Sequence, residues 1–107
     1  MPKFLAIYTG SATTPPEPAV TAKGGQAWGE WIMRNGGRIV DPGGPLGRTK
    51  KISAAGIEDA RNTMSVYTVV EADDHEAAAR LFENHPHFAI FPGDGVEVMP
   101  VMPIPSF

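Results

Sequence analysis

Few side chains in this 107-residue chain can exchange a proton near neutral pH. Two histidines, His85 and His87, stand two apart around Pro86. Imidazole titrates near neutrality and its unprotonated nitrogen ligates metals, so the pair suits general acid/base work or metal binding. The same two residues flank the end of an expected helix, where a histidine bonds free carbonyls and interacts with the dipole. That structural role is the simpler reading, and both stay as catalytic candidates. Asp41 is the acid to set beside them, because it opens a stiff loop rich in proline and glycine, although an aspartate there also bonds turn amides. Tyr8, Trp28, Trp31 and Asp41 form the candidate ligand-binding set. Tryptophans beside a Gly-Pro loop can line a cleft, and otherwise they belong to a core. Tyr8 and Tyr67 fall on neighbouring expected strands, where a hydroxyl faces either cleft or interface.

Other chemical possibilities fall away. His75 lies in the first turn of an expected helix and reads as a solvated surface residue. Asp73 and Asp74 resemble paired carboxylates, but the first is an N-cap, with Glu76 three residues on completing a capping box, and the second sits where the helix dipole favours an anion. Pro42-Gly-Gly-Pro-Leu-Gly47 lacks the Gly-Lys-Ser/Thr ending and following helix of a phosphate loop. Arg48, Lys50 and Lys51 make the densest basic spot, which reads as an exposed or edge-protecting face. A net charge of −3 without a basic run leaves no footprint for nucleic acid or an anionic membrane surface. The absence of cysteine excludes disulfides and thiolate metal sites. No metal and no cofactor is expected.

The elements that must position these residues follow from hydrophobic period and turn signals. Lys3 to Thr9 reads as a strand with Phe4, Ala6 and Tyr8 on one face. Thr13 to Pro18 cannot continue it, because tandem prolines remove ladder donors. Ala27, Trp28, Trp31 and Ile32 make one helical stripe, predicting a helix over Gln26–Asn35 that ends left-handed at Gly36-Gly37. An earlier start near Val20 conflicts with Gly24-Gly25, since each glycine costs about 1 kcal/mol relative to alanine. Arg38 to Asp41 leads into a constrained loop over Pro42–Gly47, and Thr49–Ala54 is taken as the second strand. Gly56–Met64 reads as a loop or hairpin connection, with a helical turn over Ile57–Arg61 as the other possibility. Ser65–Ala72 alternates Val66, Thr68 and Val70 against Tyr67, Val69 and Glu71, the clearest strand of the chain. A helix from Asp73 to about Asn84 buries Ala77, Ala78, Leu81 and Phe82, Pro86 ends it, and Gly95–Val101 supplies the last strand.

The order β, α, β, β, α, β is the split βαβ, ferredoxin-like plan of α+β proteins, with two helices on one face of a four-stranded antiparallel sheet. Apolar residues on both faces of the strands predict that the bare face meets a second copy. The length suits one domain over residues 1–107. The amino-terminal Met-Pro-Lys-Phe-Leu-Ala-Ile-Tyr lacks the apolar core of a signal peptide, and nowhere do about 18 apolar residues run together. A soluble cytoplasmic protein with no membrane or nucleic-acid partner is expected.

Several short motifs, in order, carry a resemblance. Gly37-Arg-Ile-Val-Asp-Pro-Gly-Gly-Pro-Leu46, Thr68-Val-Val-Glu-Ala-Asp-Asp-His-Glu-Ala-Ala-Ala-Arg80, His85-Pro-His-Phe88 and Val96-Glu-Val-Met-Pro-Val101 resemble the YCII-related proteins over nearly the whole chain. The resemblance implies a dimeric α/β barrel in which two ferredoxin-like sheets pack face to face, each subunit with a cleft beside its helices. Some members pair a histidine of the first helix with an aspartate just after the Gly-Pro turn. Here the helix offers Gln26, Trp28, Glu30, Trp31 and Arg34, and Leu46-Gly47-Arg48-Thr49 follows the turn, so that dyad does not carry over.

Two functions are consistent with these readings. One is a homodimeric module whose cleft holds a small, partly aromatic metabolite without transforming it. The other is a cofactor-free acid/base enzyme, an isomerase, decarboxylase or oxygen-inserting enzyme, which needs a titratable pair converging in the cleft.

Overall fold

The architecture was analysed in a computed structural model that describes residues 1–10 and 18–105, the side chains of 18–21 excepted. Of the turn-rich stretch Thr13–Pro18, all but Pro18 lies outside the described residues. Nine elements follow one another: β1 (Lys3–Thr9), α1 (Pro18–Arg34), β2 (Ile39–Pro45), β3 (Thr49–Ser53), β4 (Gly56–Ala60), β5 (Met64–Glu71), α2 (His75–Arg80), α3 (His87–Ile90) and β6 (Gly95–Pro100). Four strands form one antiparallel sheet in the order β2-β5-β1-β6, and β3 and β4 make a separate two-stranded sheet. The protein is thus a small α+β structure built on a four-stranded antiparallel sheet.

Period-two alternation decides what each central strand buries. Phe4, Ala6 and Tyr8 of β1 and Thr68 and Val70 of β5 are buried, and they meet Trp31, Ala78 and Phe82 from the helical side. The ladder is regular through most of its length, with Phe4 opposite Val70 and Ala6 opposite Thr68. On the other face Leu5 and Ile7 oppose Val69 and Tyr67, and all four are only half-buried.

Several sequence expectations are corrected. The second strand of the main sheet is Ile39–Pro45, not Thr49–Ala54, so part of the expected Pro42–Gly47 loop is strand. Proline is tolerated there because β2 is an edge strand whose register with β5 is broken twice. Gly43 carries φ of +68°, and a Cβ on it would lie 1.8 Å from the Tyr67 carbonyl oxygen, so only glycine fits. Thr49–Ser53 pairs instead with Gly56–Ala60 in the hairpin, which replaces the alternative of a helical turn over Ile57–Arg61.

The first helix begins at Pro18, eight residues before the expected start at Gln26. Proline costs little at a first helical position. Gly24 is tolerated because α1 and α3 touch there: a Cβ would meet Ile90 Cδ1 at 1.9 Å. The helix ends without a left-handed glycine; the amide and side-chain nitrogens of Asn35 both donate to the Trp31 carbonyl, at 3.1 and 2.9 Å.

Asp74, not Asp73, caps α2, its side chain accepting the Ala77 amide at 2.7 Å. Glu76 therefore sits one position short of a capping box and pairs with Arg80 at 2.8 Å. After Arg80 the chain tightens into i→i+3 turns through Glu83, and Asn84, at φ 54°, takes the left-handed conformation that asparagine accepts more readily than most residues. This reversal sends His85 inward and makes room for the separate helix α3.

Candidate functional site

Turns at either end of α3 set the site. On one side Asn84 delivers His85, whose ring is buried. On the other, Phe91-Pro92-Gly93-Asp94 closes with Asp94 N–H donating to the Phe91 carbonyl at 3.0 Å, Pro occupying the first central position such turns prefer. The turn brings Asp94 back to His87, seven residues earlier, with His87 Nε2 and Asp94 Oδ2 2.9 Å apart. Both side chains are nearly sealed from solvent, 4% and 6% exposed. Asp94 also lies over Gly10, where a Cβ would stand 1.7 Å from Oδ1.

A second polar pair lies deeper. The Tyr8 hydroxyl and His85 Nε2 are 2.8 Å apart. His85 Nδ1 accepts the backbone N–H of His87 at 3.0 Å, so the proton of the neutral ring resides on Nε2 and is donated to the Tyr8 oxygen. The Thr68 hydroxyl, which donates to the Pro42 carbonyl at 3.1 Å, also lies against the Tyr8 hydroxyl. Burial, with a smaller contribution from neighbouring His87, lowers the His85 pKa to about 4, so the ring is neutral at physiological pH. Burial raises the Tyr8 pKa well above that of an ordinary phenol, partly offset by the Thr68 hydrogen bond. Tyr8 and His85 thus act as fixed hydrogen-bonding groups rather than as proton carriers.

Aromatic rings surround both pairs. Trp28 stands edge-on to His85 with centroids 4.4 Å apart and contacts Tyr8 at 5.0 Å. Trp31 meets Phe82 at 5.2 Å and His85 at 4.4 Å. Beside this cluster opens a cleft of about 450 Å³, lined by Trp28, Val66, His87, Ile90, Phe91 and Asp94 and by the backbone of Gly10, Gly25 and Gly44.

Of the residues singled out in the sequence, Tyr8, Trp28, Trp31, His85 and His87 gather in this one region, and Trp28 and His87 reach the cleft itself. Trp31 is buried and donates its indole N–H to the Leu81 carbonyl at 3.1 Å, a core position. Asp41 does not join them. It is exposed on β2, accepting the Gly43 amide at 2.8 Å and the Tyr67 hydroxyl at 3.3 Å, the turn-bonding role open to an aspartate in such a loop. The helix-terminal role expected of His85 and His87 gives way to side-chain pairing with Tyr8 and Asp94. His75 is exposed yet not merely solvated, since its Nε2 is 2.7 Å from the Val98 carbonyl and its ring stacks on Phe4. The partner that sequence reasoning missed is Asp94. Its signal was the Pro-Gly turn that folds the chain back towards His87.

Among the described residues no group of three His, Asp or Glu side chains is placed to hold a metal ion, and no helix is long and apolar enough to cross a membrane.

No protein-family model matches the chain, and no curated protein matches it. Among solved structures the chain is similar to a hydantoinase/carbamoylase family amidase from Burkholderia ambifaria, at 13% identity and a TM-score of 0.36. The likeness covers 94% of this chain and 27% of the amidase, and at that score it carries no argument about fold or activity.

Proposed function

We propose that this chain is a YCII-related, ferredoxin-like domain that acts as a cytoplasmic homodimer and binds a small, partly aromatic metabolite in the cleft beside α1 and α3. The observation that carries the binding function is the cleft: about 450 Å³, within the roughly 300–1,000 Å³ usual for small-molecule sites, walled by Trp28, Ile90 and Phe91 around the His87–Asp94 pair. The sheet order β2-β5-β1-β6, read with α1 and α2 as the two crossovers, supports the ferredoxin-like plan. Leu5, Ile7, Tyr67 and Val69 form an apolar patch on the face away from the core, which supports pairing with a second copy.

Native mass spectrometry of freshly purified protein tests both parts. A dimer that retains a small mass, or takes one up from a panel of aromatic metabolites, is the expected result. A monomer would remove the barrel, and a dimer that binds nothing would remove the cleft function.

The 2.9 Å contact between His87 and Asp94 favours a second reading, in which the bound molecule undergoes proton transfer. A carboxylate that orients a cleft-wall imidazole is the arrangement general-base chemistry requires, and it arises here from residues other than those the family resemblance implies.

A further inference from the structure

The walls of the cleft restrict the charge of what lies in it. Among the described lining residues the ionisable ones are His87 and Asp94, and no lysine or arginine is present. Paired at 2.9 Å and nearly sealed from solvent, they carry together either no net charge or one negative charge. An anionic ligand would surrender its hydration to a site with no excess cation. The remaining lining is apolar side chain, bare glycine backbone and Ser65, whose hydroxyl donates to the Tyr8 carbonyl, which suits a flat, neutral molecule with a hydrogen-bonding oxygen.

With Asp94 ionised and His87 neutral, Nε2 carries the proton donated to Asp94 Oδ2, so Nδ1 is the proton-accepting atom of the ring. We propose that the cleft catalyses proton transfer on a neutral, ring-bearing carbonyl compound, with His87 as the base that removes and returns the proton and Asp94 as its positioning residue. This rests on the second reading given above and names its substrate class. In the first step the C–H bond next to the carbonyl breaks; its electron pair delocalises into the carbonyl as an enolate, and the proton moves to His87. The resulting imidazolium is offset by Asp94 and in turn stabilises the enolate. The proton then returns to the same carbon, or to the conjugated carbon to shift a double bond. Nothing is oxidised or reduced, and no co-reactant enters. Decarboxylation starts from an anion, for which this lining offers no counter-charge.

The test follows deuterium uptake at the carbon next to the carbonyl of indanone and tetralone by NMR in heavy water, with binding measured in parallel by tryptophan fluorescence. The wild-type protein is expected to bind them and to speed exchange above the buffer rate. His87→Gln should still bind and lose about 10²–10⁴-fold in exchange rate. Asp94→Asn should lower the maximal exchange rate while leaving ketone binding unchanged, because the ring keeps its place in the cleft wall but loses the carboxylate that orients it, a split that loss of packing alone does not produce. Gly25→Leu supplies the fold control: a Cβ there meets nothing within 4 Å among the described residues, so the side chain fills the cleft while circular dichroism stays native and both binding and exchange vanish. Binding without exchange overturns the proton-transfer proposal and leaves the binding function standing. Absence of binding overturns both, and exchange that survives His87→Gln overturns the assignment of the base.

Discussion

Two regions of this molecule pair charged or polar side chains, and they do so to opposite effect. In the β3–β4 hairpin Lys50 meets Asp59 and Lys51 meets Glu58 across the strands, all four side chains more than half exposed. At the tip Ile52 faces Ile57, 71% and 73% exposed, so even the apolar pair is wet. Exposed ion pairs contribute about 0–1 kcal/mol each, and an isolated two-stranded hairpin is marginal in water. In the cluster of Tyr8, His85, His87 and Asp94 the contacts, at 2.8 to 3.0 Å, fall between the 2.5 and 3.9 Å of the two hairpin pairs, but they are shielded from water, so each missing partner leaves a buried polar group unsatisfied. Contact distance alone therefore says little about strength. Burial converts the same chemistry from surface decoration into a constraint on the fold.

The sharpest way to break this contrast is to remove the ring that closes the buried cluster. Trp31→Ala should destabilise the protein by about 3–5 kcal/mol in denaturant unfolding. A shift below about 1 kcal/mol would place Trp31 with the hairpin residues rather than the core. Acid should come next. The folded pKa of His85 is lowered to about 4 from 6.5, so its contribution is fully present above pH 6.5, declines as pH falls through that window and is constant below about pH 4. The loss should amount to about 3 kcal/mol, read from unfolding midpoints across pH, and a His85→Gln protein should lose that part of the pH dependence. Tyr8→Phe should cost roughly 1–3 kcal/mol, because His85 Nε2 then has no acceptor. Recovery of that loss in a Tyr8→Phe, His85→Leu double variant would sharpen the point that pairing, rather than ring volume, is at stake. Lys50→Ala should move thermal stability least, by less than about 1 kcal/mol, with the effect fading further in high salt.

The strands that alternate strictly were legible in the sequence, because β1 and β5 bury one face and their residues obey a period of two. β2 was not. Its Pro42-Gly-Gly-Pro45 run carries every local signal of a loop, and only its place at the sheet edge allows such residues to pair at all. The site divides in the same way. Tyr8, Trp28, Trp31 and the two histidines were visible as residue types, yet the burial of His85 depends on Tyr8, 77 residues distant, and no local pattern reports that. The reverse holds for Asp94, whose geometry was locally encoded by a Pro-Gly turn but whose importance appears only once His87 turns inward. Asp41 shows the opposite failure: its loop looked like the framework of a site, and the loop uses it for its own amides.

Asp94 directly precedes β6, and β6 is an outer strand of the sheet, whose one strand neighbour among the described residues is β1. His85, by contrast, is tied to Tyr8 on the inner strand β1. The two polar pairs are therefore anchored to strands of unequal protection. Amides of an outer strand exchange with solvent through openings that cost less than global unfolding. Opening of β6 from its Gly95 end would part Asp94 from His87 and leave the Tyr8–His85 contact in place. The deeper pair is fixed to the interior of the sheet, whereas the pair at the cleft depends on its outermost strand.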